Sequence, residues 1–184
     1  MLGMLVIVLG LYISISPFLP NILYFFHHKT VVPYSGKLAS YYGGSSNKNT
    51  APPAENRLVI PDININEKIL ESDSIRVIDH NGVWRRPATS NDPKKGNMVI
   101  IGHRYLYTNP YGTFYHLDKL KVGSKMAIYW DKAEHVYQVS QIKVTDSHQT
   151  EVEAPTKTPQ LTLYTCTPLI SGKDRLVIIA TEIK

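Results

Sequence analysis

The sequence predicts an all-β fold, a closed or nearly closed barrel with one or two short helices, preceded by an N-terminal transmembrane helix. Three observations carry this. Residues 1–26 hold no charged side chain and include the apolar run LGMLVIVLGLYISI. From Arg57 onward, short runs rich in β-branched and aromatic residues are separated by turn residues: RLVIPDININEKIL, GNMVIIGH, SKMAIYW, HVYQVSQIKVTD, PQLTLYTC and RLVIIATEI. These runs are regularly spaced, and many short strands of even spacing close into a barrel more economically than into open sheets. The expected organisation is an anchor at 1–26, a linker at 27–56 and one domain at 57–184.

The N-terminal segment is long enough to cross a hydrocarbon core of about 30 Å, with Pro17 and Pro20 bending or ending a regular helix in its second half. No basic start and no small-residue cleavage site precede the aromatic cluster Tyr24, Phe25 and Phe26, so a retained anchor fits better than a cleaved signal. Lys29 and Lys37 follow the span while no Lys or Arg precedes it, an asymmetry that by charge alone would place the domain inside the cell. The stretch 27–56, with YYGGSSNKNTAPPAEN at its heart, repeats at neither the helical nor the strand period and reads as a linker. His27 and His28 at its start read as an interfacial pair, not a metal site.

Within the domain, HVYQVSQIKV alternates as a strand with one covered face. MVIIG and LVIIA are continuous apolar runs, as expected of strands buried on both sides. A short helix is predicted after Asn109, where Phe114, Leu117 and Leu120 fall at helical spacing. The 184 residues and their 43% hydrophobic content suffice for one domain, and a net charge of +5 mainly supports solubility. No zinc-finger spacing, Gly-rich phosphate loop or basic-aromatic stripe is present, so no nucleic-acid partner is expected.

Chemistry concentrates on a few residues. Cys166 is the single cysteine, which excludes an intrachain disulfide and a multi-cysteine metal site. It ends the strand Thr162, Leu163, Tyr164, Thr165, Cys166, and strand alternation places it on the face shared with Tyr164 and Thr162. Pro168, Ser171 and Gly172 then turn the chain, and Arg175 opens the next strand nine residues after Cys166, where a hairpin returns it beside the thiol. His103 follows Gly102 at the end of the run 98–101, on a rim and not in the core. His80 and His116 lack this strand-end position. A thiol, an imidazole and a guanidinium supply the nucleophile, proton carrier and oxyanion stabiliser that acyl transfer needs. Read alone, each has a blander meaning: a buried thiol, a structural histidine, a surface arginine. Tyr105, Tyr107, Tyr111 and Tyr115 follow His103 and read mostly as packing residues.

Taken together, TLYTC, the downstream Arg of RLVIIAT and the upstream VIIGHR resemble the sortase family. RLVIPDININEKILES resembles the first strand of sortase domains, with Asp62 where many members carry Lys. GVWRRPATSNDPKKGNMVIIGHR, with Trp84, resembles the approach to the catalytic His in the class D and E branches. The resemblance covers residues 57–184. It implies a sortase-type barrel of about eight strands. It also implies a membrane-anchored cysteine transpeptidase with its catalytic domain on the extracellular face. Such an enzyme cleaves an LPxTG-like sorting signal between Thr and Gly through a thioacyl intermediate. It then joins the surface protein to an amine acceptor, a peptidoglycan precursor or a pilin Lys. Catalysis falls to Cys166, His103 and Arg175, with Thr165 and Thr162 at the substrate. No cofactor is expected, and Glu151 and Glu153 are too sparse for the calcium site of class A members. Two alternatives share these residues: a hydrolytic cysteine protease or thioesterase, and a tethered peptide-binding barrel in which Cys166 is only a buried residue.

Overall fold

The computed structural model describes residues 2–19, 22, 34, 36–43, 51–105, 114–169 and 171–183. Eight strands form one closed barrel: β1 (Arg57–Ile60), β2 (Ile65–Glu71), β3 (Val83–Arg85), β4 (Asn97–Ile101), β5 (Lys125–Trp130), β6 (Ala133–Asp146), β7 (Gln160–Thr167) and β8 (Asp174–Glu182). Around the barrel they run β1-β2-β3-β4-β7-β8-β6-β5, and β5 closes on β1. Two pairs, β2 with β3 and β4 with β7, are parallel. The remaining pairs are antiparallel.

The run read as one opening strand divides into β1 and β2. Pro61 has no N–H to donate to a ladder, and Asn64 turns the chain in a left-handed conformation (φ 56°). The β5–β6 hairpin turns on Asp131 and Lys132, both at positive φ, the geometry that matches the twist of the flanking strands.

Alternation fills the interior with Leu58, Ile60, Met98, Ile100, Met126, Ile128, Leu161, Leu163 and Ile178. The continuous apolar run of β4 has a second cause. Its outward residues Val99 and Ile101 are also buried, beneath Trp84 and the Ile78 of a 3₁₀ turn at Ile75–Ile78. The indole N–H of Trp84 reaches the Ser72 carbonyl at 2.8 Å and ties that turn to the wall.

A comparable cover lies over β1 and β5. The N-terminal helix is α1 (Leu2–Ile15), and the stretch read as linker contains a second helix, α2 (Lys37–Tyr41). Leu38 of α2 packs on Val59, Ala127, Tyr129 and Val136. The Glu134 carboxylate accepts the backbone N–H groups of Lys37 at 2.6 Å and Leu38 at 3.1 Å, together with the Tyr129 hydroxyl at 3.0 Å. These bonds satisfy donors at the start of α2 that the helix itself cannot. A Cβ at Gly36 would crowd that carboxylate and force it to shift from these bonds.

The expected N-terminal transmembrane helix is not found among the described residues. The 14 residues of α1 span about 21 Å at 1.5 Å per residue. Pro17 then places the chain in a 3₁₀ turn at Ser16–Phe18. Among the described residues no helix is long and apolar enough to cross a membrane. Ser16 is fully buried, its hydroxyl bonded to the Tyr105 hydroxyl, and the Pro17 carbonyl accepts from the Tyr115 hydroxyl at 2.6 Å. Residues 109–113 of the predicted later helix, with Tyr107 and Tyr111, lie outside the described residues. The rest of that helix is reduced to one 3₁₀ turn, Leu117–Lys119, and Phe114, Leu117 and Leu120 do point together into the core.

Candidate active site

The site lies on the outer surface of β4 and β7, where strand parity sets Ile101, Tyr164 and Cys166 facing away from the barrel interior. Cys166 and Arg175 are direct cross-strand partners in the β7–β8 hairpin, as the turn between them predicts. Arg175 is held by its own turn, with Nη1 donating to the Gly172 carbonyl at 2.9 Å and the Asp174 carbonyl at 3.0 Å. Gly172 takes φ 58°, and a Cβ there would stand 3.5 Å from the Cβ of Cys166. The thiol is partly exposed, not sealed in the core.

His103 reaches the same place from β4. Ile101 pairs with Tyr164 in the parallel ladder, so His103, two residues on, comes level with Cys166. Its backbone is pinned on both sides. The Thr165 hydroxyl, itself buried, donates to the Gly102 carbonyl at 2.8 Å, and the His103 carbonyl accepts from Phe114 N–H at 3.1 Å. No other residue fits at Gly102, because a Cβ would run into the Phe114 ring.

Sequence reasoning did not find Asp79, whose Oδ1 lies 3.2 Å from His103 Nε2. It follows the Ile75–Ile78 turn that roofs β4, and nothing local in the sequence marks an Asp there as a partner for a histidine of another strand.

These residues line a groove of about 510 Å³. His103, Cys166 and Arg175 occupy one part of it. Ile75, Trp84, Ile101 and Tyr164 supply apolar surface, and Asp73, Ser74, Arg86, Ser147, Thr150 and Glu153 complete the rim. The last three come from the β6–β7 connection, which Asn97 fixes from below by donating to the carbonyls of Val152 (2.9 Å) and Ala154 (3.1 Å). Glu153, weighed in the sequence only as a calcium ligand, accepts from the Tyr164 hydroxyl at 2.6 Å and from Arg86 Nε at 3.2 Å. Burial, with Glu153 adding to it, pushes the Tyr164 phenol well above its ordinary range, so it remains a donor.

The two threonines expected at the substrate sit differently. Thr165 borders the groove, but its hydroxyl proton is committed to Gly102 and is not available to an oxyanion. Thr162 is fully buried, with its hydroxyl donating to Asn97 Oδ1 at 2.8 Å; the β6–β7 connection covers it, and it does not line the groove. His80 and His116 are likewise absent from the lining, and Tyr115 packs edge-on to both Tyr105 and His116. Among the described residues no three His, Cys, Asp or Glu side chains are grouped to hold a metal.

The family model described as the sortase domain matches residues 58–183. The chain belongs to the sortase family. Sortases are cysteine transpeptidases, and so is this protein. A search of curated proteins by sequence found no match. Among solved structures, the chain is similar to the Group B Streptococcus pilus island 1 sortase C2 at 27% identity and TM-score 0.63, over 70% of this chain and 73% of that one. It is similar to a Clostridium perfringens sortase D5 transpeptidase at 26% identity and TM-score 0.62, over 73% and 82%. Sortase A from Corynebacterium diphtheriae shares the fold at 22% identity and TM-score 0.65, over 85% and 73%. Sortases of classes A, C and D thus resemble it to nearly the same degree, and the fold favours no class.

Proposed function

We propose that this sortase cleaves an LPxTG-like sorting signal between Thr and Gly and transfers the Thr carbonyl to an amine, either a peptidoglycan precursor or a pilin Lys. The observation that supports this most is the convergence of Cys166, Arg175 and His103 at one part of a single open groove. The Cys166 thiolate attacks the Thr carbonyl, its proton having passed to His103. The tetrahedral oxyanion is stabilised by Arg175, whose guanidinium is held at the thiol's cross-strand position. Collapse breaks the Thr–Gly bond, and His103 returns the proton to the departing Gly amine. The incoming amine attacks the thioester, His103 removes its surplus proton, and the new amide leaves as Cys166 is restored.

Asp79 on Nε2 leaves Nδ1 as the nitrogen that exchanges this proton. Thr165 serves by holding the strand end that carries His103.

The apolar N-terminal segment holds the enzyme at the cell membrane, with the barrel on the extracellular face. Its support is the charge-free sequence of residues 1–26 and the exposure of Met4, Leu5, Ile7, Leu9 and Leu11 along α1, an apolar surface that water alone would disfavour.

The test incubates the full chain in detergent with LPxTG-like peptides and an amine, and compares it with Cys166→Ala by mass spectrometry. Ligated product that the variant fails to make is expected. Hydrolysed peptide with no ligation would assign the acyl acceptor to water, and no Cys166-dependent product would leave the groove as a peptide-binding surface.

A further inference from the structure

We propose that Arg86 reads the variable position x of the sorting signal, selecting a side chain that offers a hydrogen-bond acceptor, best a carboxylate. This rests on the reading that the groove binds an LPxTG-like signal with its Thr carbonyl at Cys166.

The register of the strands sets the distance. Trp84 pairs with Ile101 and Ile101 with Tyr164, so these three side chains form one row across the outer surface, two residues from Cys166 along β7. At about 3.3 Å per residue that row lies roughly 7 Å from the thiol's level. The backbone of Arg86 belongs to the next row, its N–H bonded to the Val99 carbonyl at 2.9 Å. Its side chain folds back, however, and the guanidinium carbon lies 5.4 Å from the centre of the Trp84 ring. The charge therefore stands over the row adjacent to the nucleophile. An extended peptide advances at the same rate per residue, so a signal running with its Leu-Pro end toward this row sets Pro level with it and x between the row and the thiol. Pro offers no hydrogen-bonding side chain, which leaves x as the one the outer nitrogens of Arg86 can meet.

The hydrogen-bond inventory sets the chemistry. Arg86 is fixed through Nε by Glu153 at 3.2 Å, and the two carboxylate oxygens of Glu153 are both engaged, one by Arg86 and one by the Tyr164 hydroxyl. The Nη1 and Nη2 groups of Arg86 have no protein partner among the described residues, and its side chain is 41% exposed at the groove. A planar fork anchored at its base with both outer nitrogens unspent suits a carboxylate, and less well a side-chain amide oxygen. The opposing feature is Asp73, exposed on the same rim, which would favour a basic side chain instead.

The full-length Cys166→Ala protein in detergent is titrated with LPETG, LPQTG, LPLTG and LPKTG peptides, and again with Arg86→Met or Arg86→Gln added. The Gln side chain can still bond Glu153 where Met cannot, and a ratio of affinities does not depend on the fraction of folded protein. The expected result is LPETG bound about tenfold more tightly than LPLTG, as for a partly exposed charge-assisted bond, with the ratio falling to about one in both Arg86 variants. Equal affinities, a preference for LPKTG, or a Glu preference that survives loss of Arg86 would each overturn the proposal. Turnover of the same peptides by the Cys166 protein separates the two readings. Arg86-dependent binding without turnover would retain the subsite and remove the transpeptidase assignment, and turnover without Arg86-dependent preference would do the reverse.

Discussion

Asp79 and Thr165 hold His103 by different means, one at the ring and one at the backbone, and the two predict different losses. Asp79 is about half exposed, so its bond to Nε2 is partly screened and its removal costs less than a buried charge pair would. Asp79→Asn is expected to lower kcat about tenfold with KM nearly unchanged, and to slow alkylation of Cys166 by iodoacetamide at neutral pH. Unchanged kcat and thiol reactivity would reduce Asp79 to a surface neighbour. Thr165→Val leaves the Gly102 carbonyl without its donor in a buried place, and should cost about 1–3 kcal/mol of stability in chemical denaturation as well as activity. Thr165→Ser, which restores the hydroxyl, recovers both; a Val variant as stable as wild type would show that the bond contributes little. The placement of Cys166 beside Arg175 was legible in the sequence because period-2 alternation and a short turn set it, while His103 was marked only by its position after the strand-end Gly102. Asp79 and Arg86 were not legible, because they meet the site only through the parallel β4–β7 pairing and the Ile75–Ile78 roof, which no local pattern encodes.

Among the elements, what was readable depended on whether one strand face was left to water. The alternation read over β6 holds only in part: His135, Val136 and Tyr137 are buried in succession, with Val136 beneath α2, and a register shift between Val139 and Gln141 breaks the period. The apolar run of β4 correctly signalled burial on both sides, but its cover, a 3₁₀ turn and an indole, was invisible, and on the outward face of β8 Val177 is buried while Ile179 is only partly so. The linker reading missed α2 because five residues are too few to show a helical period, and because the Glu134 that bonds its first turn is about a hundred positions away. On β2, Glu67 belongs to the same class of tertiary effect. Burial raises its carboxyl above the usual range, against the opposing pull of Arg57 and a hydrogen bond from the Gly82 backbone. A carboxyl raised by folding favours the native state below its unfolded pKa, and that contribution is lost as pH rises through the folded value. Glu67→Gln should therefore gain stability relative to wild type as pH climbs from about 4 toward neutrality. Denaturant titrations of both proteins at several pH values test this, and a difference that stays constant or shrinks with rising pH would refute it.

At the scale of the whole molecule, the N-terminal segment and the catalytic groove are closer than chain order suggests. Ser16 and Pro17 bond to Tyr105 and Tyr115, so the chain just after the apolar helix is fastened to residues two and twelve positions after His103. For an enzyme tethered through this segment, as proposed above, a membrane-bound sorting signal or lipid-linked amine would arrive at raised effective concentration. The barrel itself draws nothing from α1: its core residues lie between Leu58 and Ala180, and the large side chains of α1 are exposed. Anchoring and catalysis should therefore separate. Deleting residues 2–15, which keeps the Ser16 and Pro17 contacts, is expected to abolish flotation of the protein with lipid vesicles. The Cys166-dependent ligation of a soluble peptide should stay within about threefold, since neither the thiol, His103 nor Arg175 loses a partner. Flotation that persists would place membrane affinity on the barrel surface, where residues 57–184 carry 17 Lys and Arg against 14 Asp and Glu, an excess that offers some attraction to anionic lipid. Ligation that collapses in the truncated enzyme, which keeps the Ser16 and Pro17 contacts to Tyr105 and Tyr115, would mean that α1 acts on the site by another route and that residues 2–15 are part of the active enzyme.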